Sequence, residues 1–291
     1  MKIFIEVKMA IADFFKWVKF ISRLNEEYIT NLIDEMKYEL ADDLQKLPIP
    51  KIKTIDETID DLLALHSSIC RFGDGEINLI NGRDIPFQKY SDGLKNRLLE
   101  VLTSDRKDLL IAIPRICFYS KKNITASNKH FWRKKGNRFR EIILPHLNMD
   151  RQYWAAELTL AYSYFQEYDF EMYFSKLRQV WQNKEVVVIC GDKVFDKIKN
   201  NIFDNAALVE YQYAPSINAY ENYGNILKQA LMIDKNKLVV VILGPTAKVL
   251  AYDMTVKGYH VLDLGHVAKS YDLYIKKSNN HQMNRKFYNP D

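Results

Sequence analysis

Cysteine is scarce in this sequence, and no long hydrophobic run is free of charge. The three cysteines among 291 residues, Cys70, Cys117 and Cys190, are an odd number, lie far apart and sit inside apolar runs. They read as reduced core residues, which excludes a disulfide scaffold, and no zinc-type spacing is present. No uncharged stretch approaches the roughly 20 residues that a membrane span needs. The apolar N-terminus, MKIFIEVKMAIADFFKWVKFISRL, is interrupted by Glu6, Lys8, Asp13, Lys16 and Lys19. Charge of one sign is also lacking, since 42 basic and 37 acidic residues leave a net +5. That mild excess suits an anionic substrate or surface and does not demand nucleic acid. Internal repeats, low-complexity tracts and Gly/Ser linkers are absent. Neither a P-loop nor a G-x-G-x-x-G fingerprint occurs, which weighs against ATP and NAD.

What remains is a chain with 47% hydrophobic residues, enough to bury a large core in one large domain with an appendage. The appendage is N-terminal. Ile3, Val7, Ile11, Phe14, Val18 and Ile21 fall on one face of a helical wheel, and Lys2, Glu6, Asp13, Lys16 and Arg23 fall opposite. Acidic residues share the polar face, so the expectation is a helix packed on its own domain or on a twin subunit, with membrane-surface contact as the alternative. The segment KLPIPKIKTIDET, residues 46–58, breaks helices at two prolines and offers Thr54, Asp56 and Thr58 as N-caps. The expected division is a helical extension over residues 1–50 and a domain over 51–291. A cytoplasmic location is expected, with the inner face of the membrane as the alternative.

After residue 50, apolar runs alternate with helical patterns: SSICRF, DLLIAIP, EVVVICGD, ALVEYQYAP, KLVVVILGP and HVLDLGH. Such runs are buried strands of a largely parallel sheet. PTAKVLAYDMTVKG, opened by Pro245 and Thr246 and closed by Gly258, supplies a strand, helix, strand crossover. The fold class is therefore α/β, Rossmann-like and flanked by helices. The stretch from about 120 to 182 begins basic and aromatic (KKNITASNKHFWRKKGNRFREII), continues helical and rich in tyrosine (AAELTLAYSYFQEYDFEMYFSKLRQVW), and is expected to cover a ligand cleft.

Open α/β sheets bind ligands beyond the carboxyl ends of their strands, so the turns after these runs carry the candidates. In RFGDGE, Asp74 and Glu76 stand at i and i+2 and could face one divalent cation, with Gly73 and Gly75 allowing close approach and Arg71 addressing a phosphate. An isolated DGE more often marks the first turn of a helix, here one starting at Ile77, and the residue pattern alone favours that reading. In ILGPTAKVL, the helix start with Gly244 and Thr246 offers an anion site for a diphosphate, or simply a proline-initiated cap. In LDLGHVAKSYDLY, Asp263, His266 and Asp272 lie close together, and a carboxylate near a histidine can move a proton. In VVVICGDKVF, Gly191 and Asp192 occupy a place where such sheets hold a ribose or base.

Taken together, RFGDGE, FQKY at 87–90, NIFDNA at 201–206, PSINAY at 215–220, LGPTAKVLAYD at 243–253 and LDLGHVAKSYD at 262–272 resemble the GT-D family of bacterial glycosyltransferases. The resemblance spans residues 53–280, in order. It implies transfer of a hexose, glucose or galactose, from a UDP-sugar to the sugar of an acceptor glycan on a bacterial surface glycoprotein or polysaccharide, with inversion. Asp74 and Glu76 match the family's Asp-x-Glu motif, which implies Mn²⁺ (or Mg²⁺) held against the UDP diphosphate. The resemblance points to Asp272 as the base, with His266 second. Arg71, Gly73, Gln88, Asp192, Gly244 and Thr246 are the implied contacts to the nucleotide sugar. The chain departs from the family pattern at Ala268 and Ser270, where members carry acids, and at Leu160 of LTLAY, where members carry arginine. Two further functions share these residues: a metal-dependent phosphohydrolase, and a non-catalytic nucleotide-sugar-binding partner subunit.

Overall fold

The computed structural model describes residues 11, 13–22, 25–26, 28–30, 32–33, 36, 47–119 and 123–278. Eight strands form one sheet: β1 (Lys51–Ile52), β2 (Ser68–Arg71), β3 (Leu109–Ile113), β4 (Gln152–Ala155), β5 (Glu185–Gly191), β6 (Leu208–Ala214), β7 (Leu238–Ile242) and β8 (Val261–Asp263). Their order is β1-β4-β3-β2-β8-β7-β5-β6, and every pairing is parallel. The six apolar runs read from the sequence are β2, β3 and β5 to β8. The short β1 and β4 were not foreseen. QYWA in β4 is too brief to show a period.

Both faces of the sheet's middle are covered, which explains why β3, β5 and β7 are apolar without alternation, whereas the edge strand β6 is mostly exposed. In β7, Leu238, Val240 and Ile242 join one core, while Val239 and Val241 join the other. The first core receives α1 (Ile55–Leu65), and the opposite core receives α2 (Asp74–Ile80), α3 (Asp92–Thr103) and α4 (Ala126–Ile143). Further along the chain, α5 (Phe170–Arg178) packs with α1, whereas α6 (Tyr223–Ala230) and α7 (Thr246–Val256) pack with α2 to α4. The last helix, α8 (Val267–Ile275), returns to the α1 side.

Local chemistry sets the helix boundaries. Thr54 caps α1 in a capping box, accepting from the Glu57 N–H while Glu57 Oε2 accepts from the Thr54 N–H at 2.8 Å. The helix after β2 begins at Asp74, not at Ile77, because Gly73 caps it and its N–H donates to Glu76 Oε2 at 2.7 Å. Pro245 and Thr246 open α7, and Gly258 follows its end at φ +85°.

Residues 13–22 are helical, as the amphipathic pattern requires. Phe14, Phe15, Trp17 and Phe20 are all exposed, so the expected packing on the chain's own domain is not seen among the described residues. Ile3 and Val7 of that pattern, and the tail beyond Ser278, lie outside the described residues. No helix among the described residues is long and apolar enough to cross a membrane.

Successive strands place the centre of the sheet at β2 and β8. From β2 the chain works outward through β3 to β4, and from β6 it returns inward through β7 to β8. Turns from both halves therefore meet above the carboxyl ends of β2, β8 and β7, the crevice that such sheets use for ligands.

One buried hydroxyl ties the unforeseen β4 to α1. Thr58 Oγ1 donates to the Thr54 carbonyl at 2.7 Å and accepts from the Ala155 N–H at 3.1 Å. Thr58→Ala leaves that buried amide without a partner, and urea unfolding should show a loss of about 1–3 kcal/mol.

Candidate functional site

A cleft of about 600 Å³ opens above the centre of the sheet. Its walls come from the turn after β2 (Arg71 to Glu76), Pro114 after β3, Ala156 and Glu157 after β4, Gly191 after β5, Leu243 and Gly244 after β7, and Gly265 and His266 after β8. Phe131, Trp132 and Lys135 of α4 close one side, with Leu160 and Tyr164 beside them. The middle of the chain covers the cleft, as its composition suggested.

The floor is a network of buried charges. Lys248 Nζ, 5% exposed, lies 2.9 Å from Glu76 Oε1 and 3.2 Å from Asp263 Oδ2, and donates to the Gly244 carbonyl at 3.0 Å. Burial alone would push this lysine's pKa down, but Asp263 and Glu76 outweigh it and hold the ammonium above its ordinary value. Asp263 Oδ2 also accepts the Arg71 N–H at 2.9 Å. The Arg71 guanidinium then donates to three carbonyls: Asp263 at 2.9 Å, Ala156 at 2.8 Å and Gly265 at 2.9 Å. Arg71 thus braces the turns after β2, β4 and β8, and those three donors are spent on backbone.

Asp74 is half-buried on the cleft wall. Burial raises its carboxyl pKa; Lys135 opposes the shift and Glu76 adds to it. The His266 ring also lines the cleft, at the left-handed N-cap of α8. Burial, with Arg71, Lys269 and Lys248 nearby, pushes its pKa down to about 3, so the imidazole is neutral at physiological pH. Glu157 is buried, with its oxygens accepting the Ile116 N–H at 2.8 Å and the Arg115 N–H at 3.2 Å. Burial raises its pKa.

Two glycines are needed by the walls. Gly244 has φ +51°, and a Cβ there would stand 2.7 Å from Phe87 Cε2. A Cβ on Gly191 would stand 2.6 Å from Ser216 Oγ. At that rim Asp192 is exposed and accepts from the Ser216 hydroxyl, which holds its pKa below the usual carboxylate value. Thr246 is fully buried at the start of α7, and its Oγ1 has no hydrogen-bond partner.

The model of the glycosyltransferase GT-D fold matches residues 69–290. The chain belongs to the GT-D fold glycosyltransferase family. A protein of Streptococcus gordonii called probable glycosyl transferase Gly is 31% identical over 246 residues, 81% of this chain and 36% of that protein. Glycosyltransferase GlyD of Streptococcus pneumoniae serotype 4 is 30% identical over 244 residues, 83% of this chain and 30% of the relative. The chain thus spans about a third of the length of these curated relatives. Among solved structures, a highly conserved domain of unknown function 1792, described as having a distinct glycosyltransferase fold, matches with a TM-score of 0.76 and 32% identity over 80% of this chain and 84% of that one. A second, described as a new glycosyltransferase from Streptococcus sanguinis, matches with a TM-score of 0.74 and 29% identity over 78% and 85%.

Within this GT-D chain the motif residues separate into two groups. Gly73, Asp74, Glu76, Gly244 and His266 share the cleft with the Arg71 brace, and Asp192 stands at its rim. Asp272 does not reach it, which corrects the assignment of that residue as base. Its Oδ1 accepts from the Lys199 N–H at 3.1 Å, the Asn200 N–H at 3.1 Å and Asn200 Nδ2 at 2.8 Å, and its Oδ2 pairs with Lys276. Burial would raise this carboxyl, but those partners win and lower it. Gln88 is corrected likewise: it is buried, bonded to the Lys89 carbonyl and the Tyr220 N–H, and clamps two loops outside the cleft lining.

Sequence reading passed over Lys248, Glu157 and Lys135. The first two carry a weak signal, a single charge inside an apolar stretch (TAKVLA, AAELTL), whereas Lys135 is one of many cations on α4.

Gly244→Ala should melt at a lower temperature, with a loss of at least about 1 kcal/mol from the backbone alone. The folded Asp272 pKa is lowered, so its stabilisation is full above the ordinary value of 3.8 and is lost as pH falls through the native value. Melts in acid should therefore show a flatter decline for Asp272→Asn, and the variant should keep its turnover.

Proposed function

We propose that this chain transfers a hexose, glucose or galactose, from a UDP-sugar to a hydroxyl of an acceptor glycan, with inversion and with the help of a divalent cation. The supporting observation is the convergence of strand-end turns on one cleft lined by both Asp74 and Glu76. No group of three or more His, Cys, Asp or Glu that could hold a metal occurs among the described residues. Two carboxylates nevertheless fit a hard cation that completes its shell with diphosphate oxygens and water. Their surroundings agree with that. The raised Asp74 pKa reflects a desolvated carboxylate beside a second one, which a cation would relieve. The lining also carries Arg71, Lys135, Lys248 and Lys269 against Asp74, Glu76, Asp84 and Glu157, an even balance that leaves a diphosphate's charge unmatched.

In this reading Asp74 and Glu76 hold Mn²⁺ or Mg²⁺. The cation, when bound, offsets the charge that develops on the leaving diphosphate. The N-terminal end of α7, with Gly244 on the cleft wall, receives a phosphate. Asp192 at the rim accepts from ribose hydroxyls. The acceptor hydroxyl gives its proton to the neutral His266 imidazole, and its oxygen bonds to the anomeric carbon. The bond from that carbon to the diphosphate oxygen breaks, and the electron pair leaves with UDP. The acceptor is a glycan of a bacterial surface glycoprotein or polysaccharide, reached from the cytoplasmic side.

Incubation with UDP-glucose or UDP-galactose, Mn²⁺ and acceptor saccharides tests the activity: sugar transfer supports it, and cleavage of phosphate esters without transfer sinks it. Asp74→Asn and Glu76→Gln should each weaken Mn²⁺-dependent UDP binding more than about tenfold, Asp74→Asn with a normal melt and Glu76→Gln with a lowered one, because Lys248 loses a buried partner. His266→Gln should bind UDP as before and lose about 10²- to 10⁴-fold in kcat. Near-normal turnover would move the base elsewhere.

A further inference from the structure

We infer that Lys248 is an internal counter-cation that holds Glu76 until a divalent cation takes it, the lysine ammonium then passing to Asp263; this rests on the metal reading proposed above. The geometry points to such an exchange. Lys248 Nζ stands within 3.2 Å of both carboxylates, and its third contact, the Gly244 carbonyl, belongs to neither. Glu76 is anchored independently, because Oε2 accepts the Gly73 N–H at 2.7 Å, so only Oε1 changes partner. Asp263 can receive the ammonium. Its Oδ2 already faces Lys248 and the Arg71 N–H, while Oδ1 is buried with no hydrogen-bond partner. A small rotation of the flexible lysine stem satisfies that oxygen, which removes the cost of leaving it bare.

The consequence has a definite sign. A residue that merely braced Glu76 would, when removed, leave the metal site disordered and weaken it. A counter-cation that competes for Glu76 repels an arriving dication across the same oxygen, so its removal strengthens the site.

Mn²⁺ alone is titrated by electron paramagnetic resonance into the wild-type chain, Lys248→Met and Lys248→Arg. Lys248→Met should bind Mn²⁺ at least about tenfold more tightly, and Lys248→Arg should stay near the wild type. Because Lys248→Met leaves two buried carboxylates one cation short, Lys248→Met/Asp263→Asn is measured in parallel. Both neutralised variants should gain more in Tm from Mn²⁺ than the wild type does. Unchanged or weaker Mn²⁺ binding in a folded variant overturns the inference, as does failure of both variants to fold, which would make Lys248 a structural brace. A wild-type chain that binds no Mn²⁺ even with UDP overturns the metal reading as well. One whose Mn²⁺ binding is tightened by UDP but indifferent to Lys248 overturns the counter-cation alone.

Discussion

An ammonium group buried between Glu76 and Asp263 joins the cleft of this protein to its fold. Removing one partner of such a buried pair costs about 3–5 kcal/mol, because an uncompensated charge stays behind. The pairing therefore fixes more than itself. Glu76 caps the helix that carries Asp74, and Asp263 holds the backbone and side chain of Arg71. Arg71 in turn fastens Ala156 and Gly265. Turns from four strands are thus set in place before any ligand arrives, the kind of preorganisation on which electrostatic catalysis depends.

Around that floor the cleft has two unlike sides. Turns of the sheet supply carboxylates, glycines and helix starts, whereas α4 supplies Phe131, Trp132 and Lys135. The even charge balance of the lining matters for the choice of ligand. A cleft with surplus cations could take a diphosphate unaided; in the proposed reading a metal supplies the missing positive charge, with the paired acids as its oxygen ligands. The chain itself belongs to the GT-D fold glycosyltransferase family. The chain spans about a third of the length of its curated relatives.

The sheet was legible in the sequence because five of its strands are buried on both faces and appear as apolar runs, while the exposed edge strand β6 is still rich in β-forming Val and Tyr. The two short strands were not, since four residues such as QYWA carry no period of their own. The site was legible where a strand end met glycine and charge, as in RFGDGE and LGPTAKV. It misled at Asp272, which lies within a motif yet faces the loop at Lys199 and Asn200. Nearness in sequence to His266 gave no information on which side of α8 that carboxylate emerges. Lys248 was hidden for the converse reason: its partners, Glu76 and Asp263, come from distant parts of the chain, and only the parallel crossover brings them together.

Diffraction at the manganese absorption edge, from crystals of this chain grown with UDP and Mn²⁺, tests the central claim most directly. The account places an anomalous peak at the carboxylates of both Asp74 and Glu76, beside the diphosphate, with Lys248 turned to Asp263. A peak away from those carboxylates, or UDP bound in the cleft without metal, would contradict it.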